Sequence, residues 1–274
     1  MSLREAVAMV PDGAIVALGG NVLHRAPMAF VRELVRQKKK HLNIVKTAGA
    51  HDIDLLCAAD CVQSVSAGFV SYESKFGLAN FYRKSVQAGK VIAHEHACYT
   101  VIAALRGASM NVPFMPVHGL QAGDLLLKND YFIVVEDPFT GQPVTLVKTI
   151  VPDFAVIHVQ EADVKGNARI YGPKFEDVLM SRAAKKVIIT AENIVSESKM
   201  KMQHEYIDIP GFLVAAVVHA PRGARPCSCY KNYEIDDKML TSFIQAKTEE
   251  DIKAYLQQYE AADHAGERRR LVWV

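Results

Sequence analysis

The sequence predicts an α/β chain: a mostly parallel, doubly wound sheet with helices on both faces and a small antiparallel insertion. Three observations carry this. Short apolar runs of inner-strand length alternate with amphipathic stretches from Ala14 to Val117. Glycine- and proline-bearing turns punctuate that alternation. Around residues 131–147 the pattern changes to two apolar runs joined by the turn-rich linker Asp137–Pro143. The chain has 274 residues, 50% of them hydrophobic and 23% charged. With no internal repeat, low-complexity tract or flexible linker, it is expected to form one domain over 1–274.

The elements follow in order. Leu3–Val10 reads as a short amphipathic helix closed by Pro11. Asp12-Gly13 is a turn, and Ala14–Leu18 is a strand too short to cover a helix face. Gly19-Gly20 ends that strand and leaves backbone N–H groups unshielded by side chains. Pro27 suits the first turn of a helix whose apolar face is Met28, Phe30, Val31, Leu34 and Val35. Strand Leu42–Ala48, helix Ile53–Ala59, strand Cys61–Phe69, helix Leu78–Gln87, strand Val91–His94 and helix Ala97–Met110 continue the alternation. Val112–Val117 reads as a strand near an edge or bend, because of its prolines. Beyond the insertion come strand Phe154–Gln160, a turn at Asp163–Asn167 and helix Phe175–Lys185. Strands Lys186–Ala191 and Phe212–Ala220 follow, and then a helical region Asp236–Glu260 interrupted around Thr248.

Composition excludes several classes of function. The net charge of +2 and the lack of a basic tract interleaved with aromatics argue against nucleic acid as a partner. Lys38-Lys39-Lys40 and Arg268-Arg269-Arg270 read as solvated ends. No apolar run reaches the roughly 18 residues of a membrane span, and Met1–Ala6 does not read as a secretory signal. Five scattered cysteines suit a reducing cytoplasm, with Cys227 and Cys229 as ordinary thiols. His94 and His96 would share one side of a persisting strand, but no third ligand lies nearby in sequence, so no metal is expected.

The pattern Asp12-Gly13, two residues, three apolar residues, Gly19-Gly20 and a proline seven residues later (Pro27) resembles the amino-terminal signature of class I coenzyme A transferases. Val135–Gly141, Tyr171–Asp177, Ile209–Phe212 and Ala220–Pro226 resemble the alpha subunits of glutaconate-type members, and the likeness runs from about Leu3 to about Leu240. The signature usually has Phe where Asn21 stands and Gly where Arg25 stands. The resemblance implies an enzyme active only with a beta partner, in a heterotetramer. Coenzyme A would be a substrate, and no permanently bound cofactor is implied. The nucleophile would be a glutamate of the beta subunit that forms an acyl-glutamyl anhydride and then a glutamyl thioester. No Ser-Glu-Asn-Gly-type motif for that glutamate occurs in this chain. The expected substrates are small carboxylic acids, dicarboxylic ones among them.

The same resemblance marks candidate residues. Gly19, Gly20, Asn21 and Arg25 are the expected oxyanion and acyl-binding loop. Ser71, Glu73 and Ser74 follow a strand end expected to face the acyl group. His94, Glu95 and His96 end another strand and suit proton transfer or polar contact at the subunit junction. Cys98 falls where transferases of the family commonly carry Gln and ring-cleaving hydrolases carry Glu; as a free cysteine it would otherwise be a buried apolar residue. Residues 95–114 also resemble decarboxylating relatives. A decarboxylase or C–C hydrolase acting on glutaconyl-type or ring-derived thioesters is therefore one alternative, and a non-enzymatic acyl-coenzyme A binding protein is another.

Overall fold

The computed structural model describes residues 1–120, 124–128 and 130–267. In chain order the strands are β1 (Ile15–Leu18), β2 (Leu42–Gly49), β3 (Val62–Val70), β4 (Ile92–Glu95), β5 (Phe114–Val117), β6 (Phe132–Glu136), β7 (Pro143–Lys148), β8 (Phe154–Ala162), β9 (Ala168–Arg169), β10 (Lys186–Ile194) and β11 (Val214–His219). The helices are α1 (Leu3–Ala8), α2 (Met28–Arg36), α3 (His51–Ala58), α4 (Glu73–Phe76), α5 (Asn80–Gln87), α6 (Cys98–Ser109), α7 (Leu125–Lys128), α8 (Asp177–Ala183), α9 (Glu197–Lys201), α10 (Asp237–Ile244) and α11 (Glu249–Asp263).

The main sheet runs β11-β10-β8-β1-β2-β3-β4, with every neighbour in that order parallel; β9 adds antiparallel to β8. The order turns around at β1, which pairs with β2 on one side and β8 on the other. Carboxyl ends beside such a turning point are where an open α/β sheet leaves a crevice. Because side chains alternate, Val16 and Leu18 enter one core layer and Ala17 the other. The first layer packs α1, α2, α3, α10 and α11 through Phe30, Leu34, Leu55, Phe243 and Tyr255. The second packs α6 and α8 through Val101, Leu105 and Met180. Each such large apolar side chain taken out of water contributes about 1.5–3 kcal/mol before the opposing conformational entropy is counted.

The insertion is a three-stranded antiparallel sheet, β5-β7-β6. Its Phe132 and Val147 pack into the second layer, whereas Phe114 and Ile133 stay exposed. The proline-bearing segment read as an edge or bend is an edge of this small sheet. The break at Thr248 is real: its side chain accepts from Asp251 N and starts α11. Three boundaries differ from expectation. Residues 73–76 form their own turn of helix before α5, α8 is only seven residues long, and β11 begins after a 3₁₀ turn at Gly211–Leu213. Lys39 and Lys40 are half-buried rather than merely solvated, donating to the carbonyls of Val10 and of Ala59 and Asp60. Arg268–Arg270 lie outside the described residues. Among the described residues no helix is long and apolar enough to cross a membrane.

Candidate functional site at the strand ends

The glycine loop after β1 is closed. Gly19 N–H donates to the Val156 carbonyl at 2.9 Å and Gly20 N–H to Asp177 Oδ1 at 2.8 Å. A Cβ on Gly19 would lie 2.7 Å from Asp177 Oδ1, and one on Gly20 would lie 2.4 Å from the His24 carbonyl. Arg25 is buried and spent as well: its guanidinium pairs with Asp177 and donates to the carbonyls of His158 and Pro173. The Gly19 carbonyl accepts from Lys46, which is itself paired with Asp52 at 2.5 Å, both fully buried. The residues expected to form an acyl-binding loop, Gly19, Gly20 and Arg25, thus find partners for these polar groups within the chain itself. Their polar groups are satisfied inside the chain, and Asn21 stands half-buried beside them. Val22 and Arg25 hold positive φ of 46° and 56°, a strained turn that Asp177 pins from 157 residues away.

The open donors lie one strand further along. Helix α6 starts at Cys98, and its first turn is pressed against β3 at Gly68. A Cβ there would sit 2.4 Å from Cys98 N and 2.5 Å from its Sγ. Thr100 N returns to Ala97 O and Thr100 Oγ1 accepts from Ala97 N, but the N–H groups of Cys98 and Tyr99 have no backbone acceptor among the described residues, and both residues are exposed. Contrary to the buried reading, Cys98 is an exposed residue, although its thiol lies against Gly68 and the Thr47 carbonyl. The thiol donates to the Thr47 carbonyl at 3.4 Å. On the other side of Thr47, its Oγ1 donates to Glu176 Oε2 at 2.8 Å. Burial first, and then the Glu176 carboxylate, push the Cys98 thiol above its ordinary value.

The remaining candidates surround this point. Ser71 Oγ donates to the Gly77 carbonyl and accepts from Glu73 N, so its hydrogen bonds close its own turn; Glu73, at φ 62°, and Ser74 are exposed. His94 and His96 do share a side, both rings lying 5.1 Å from that of Tyr131. With Ala67, Gly68, Tyr82 and Glu95 they border a cavity of about 260 Å³. Larger hollows of about 540 and 610 Å³ lie beside α2 and α11 and beside β11, away from these residues. Burial holds His96 down to about 4 and also lowers His94, so both rings are neutral near pH 7. Thr100 gives its hydroxyl proton to Ala97 O, so toward His96 Nδ1 it accepts; Nε2 of this buried ring is left as a bare acceptor without a partner.

The ligand-type cluster of the described residues is not the His94–His96 pair but His158, Glu192 and Cys229, whose atoms lie within 4.8 Å of one another. Its histidine is already committed, Nδ1 with Thr190 at 2.9 Å and Nε2 with Glu192 at 2.8 Å. Tyr233 also hydrogen-bonds Glu192. This cluster braces β8 against β10. Sequence reading missed Thr47, Glu176 and Asp177, although the last two stand in a segment that carried the family likeness. No local pattern signals their partners, which are 129 and 157 residues away.

A family model described as coenzyme A transferase matches residues 1–220. An uncharacterized protein of Archaeoglobus fulgidus is 36% identical over 94% of this chain; the chain spans 58% of that relative's length. One of the subunits of the glutaconate CoA-transferase of Acidaminococcus fermentans is 31% identical over 96% of this chain and 89% of its own. The crystal structure of that enzyme superposes with a TM-score of 0.90, covering 99% of this chain and 92% of the other. A crystal structure of a variant of the decarboxylase AibA/AibB superposes at 0.86, with 33% identity, covering 94% and 96%.

Proposed function

Because this chain belongs to the coenzyme A transferase family, we propose that it is the alpha half of a heteromeric enzyme that moves coenzyme A between small carboxylic acids. A beta partner supplies the nucleophilic glutamate, and two copies of each chain make a heterotetramer. The observation that carries the reading is the start of α6 at the carboxyl ends of β2 and β3, where the Cys98 and Tyr99 N–H groups have no backbone acceptor among the described residues. The Cys98 and Tyr99 N–H groups can hold a thioester carbonyl oxygen as charge builds on it, and the helix dipole favours that charge.

Transfer runs through two covalent intermediates. The partner's carboxylate oxygen attacks the thioester carbon, the C–S bond breaks with its electrons leaving on sulfur, and an acyl anhydride remains on the partner. The thiolate then attacks the anhydride at the glutamyl carbonyl, giving a glutamyl thioester and the free acid. An acceptor acid runs the sequence in reverse. Thr47 and Gly68 position the α6 turn, while coenzyme A comes and goes as a substrate with no resident cofactor. Five free cysteines suit a reducing compartment such as the cytoplasm.

The test is to co-express the chain with its partner and follow label exchange between acetate and a panel of acyl-coenzyme A thioesters. Exchange that requires both chains supports the reading. A folded, stable complex inactive over the whole panel counts against it.

A further inference from the structure

We propose that Glu176 makes this chain's half of the acyl site reject a second carboxylate, so that the acyl group it takes is uncharged at its far end. The proposal rests on the reading of the α6 turn as the acyl site and narrows its substrate class.

Geometry puts the carboxylate beside that turn. Thr47 is buried, and it holds Glu176 Oε2 with its hydroxyl and the Cys98 thiol with its carbonyl. One residue thus fixes a negative charge next to the group that opens α6, and the field of that charge reaches the thiol.

Most of the described cations in the surrounding loops are already held by carboxylates, while Lys231 lies over the ring of Tyr171. Arg25 is paired with Asp177 and Lys46 with Asp52. Lys75 is paired with Asp237, Lys165 with Glu197, Arg169 with Glu161 and Lys174 with Asp208. His94 and His96 are kept uncharged by burial. The nearby exposed acid Glu73 adds to the negative field, and Ser71 has given its hydroxyl proton to Gly77. Like charges brought together in a half-buried site repel strongly enough to cost roughly tenfold or more in affinity. Bare His96 Nε2 at the neighbouring cavity asks instead for a donor such as a hydroxyl.

Two measurements test this. The first needs only the chain itself: alkylation of Cys98 by anionic iodoacetate and by neutral iodoacetamide, read by peptide mass spectrometry. The other cysteines are buried. The expected preference for iodoacetamide exceeds that of free cysteine by about fivefold or more at low salt, and it shrinks toward the free value in roughly 0.5 M salt. Glu176→Gln is expected to bring it to within about twofold of the free value. A wild-type preference equal to that of free cysteine, or one that neither salt nor the variant moves, overturns the proposal; the salt arm holds even if the variant fails to fold.

The second uses the complex with its partner. Butyryl-coenzyme A is expected to exceed glutaryl-coenzyme A in kcat/KM by about tenfold or more, with Glu176→Gln closing the gap through a lower KM for the glutaryl thioester. A wild-type preference for glutaryl overturns the proposal. A complex that exchanges neither thioester sinks the transferase reading, and the alkylation ratio still decides the claim about charge.

Discussion

The carboxyl end of β1 and the carboxyl ends of β2 and β3 lie side by side on one sheet, and each region carries a glycine that a side chain could not replace. They differ in what the missing Cβ admits. At Gly20 it admits the chain's own turn, with carbonyls of His24 and Arg25 closing over the backbone and Asp177 taking the N–H. At Gly68 it admits the first turn of a neighbouring helix, whose Cys98 and Tyr99 N–H groups have no backbone acceptor among the described residues. The first arrangement is a lock and the second a mouth. A glycine signature therefore reports close approach, but not which of two neighbours approaches or whether anything is left for a ligand.

Substitutions can break this comparison in order of expected effect. Asp177→Ala leaves Arg25 buried without its counter-charge and orphans Gly20 N–H. It should destabilise the chain by roughly 3–5 kcal/mol in urea denaturation, and a cost below about 1 kcal/mol would show that the lock is not what holds the turn. Gly20→Ala, at φ 71° with a Cβ 2.4 Å from a carbonyl oxygen, should cost roughly 2–4 kcal/mol on the same measure. Gly68→Ala should behave differently. Its Cβ pushes the α6 turn outward, at about 1–3 kcal/mol, while exchange activity of the complex falls by roughly a hundredfold or more because donors displaced by about 1 Å no longer meet the oxyanion. If Gly20→Ala in a folded complex lost as much activity as Gly68→Ala, the division into lock and mouth would fail.

The smallest effect belongs to Cys98. Cys98→Ser should change stability by less than about 1 kcal/mol, since the residue is exposed. Its ionisation carries a sign. Burial and Glu176 disfavour the thiolate, so the iodoacetamide rate should still be climbing at pH 9.0, where an ordinary thiol of this kind is half ionised. Neutralising Glu176 should move that rise to lower pH. A midpoint below 9.0 in the wild type would mean that the helix end outweighs the carboxylate, and the charge argument would lose its footing.

Much of the sheet was legible because inner parallel strands must be apolar runs and their crossovers amphipathic. Ala14–Leu18, Leu42–Ala48 and Lys186–Ala191 sit in place within a few residues. Residues 71–78 were less legible. Their helical turn is closed by Ser71, a side-chain contact with no periodicity to betray it. The site was legible in part. Cys98 and the histidines were in view, but nothing local says that Gly19 and Gly20 are spent, that Gly68 admits the α6 turn, or that Thr47 joins Cys98 to Glu176. Those facts depend on partners brought together only when β2, α6 and α8 pack. The buried chain of Asp54, Tyr72, His51 and Tyr255 was invisible for the same reason, since His51 and Tyr255 lie 204 residues apart until the fold closes.

The most direct measurement is activity of the co-expressed complex as Cys98 is titrated with iodoacetamide. A carbamidomethyl group there would fill the approach to the α6 N–H groups and leave the closed loop at Gly19–Gly20 untouched. Acyl exchange is expected to fall in step with the modified fraction of Cys98 and to be protected by bound acyl-coenzyme A. Full exchange activity with Cys98 completely modified would place the acyl carbonyl elsewhere and contradict the account.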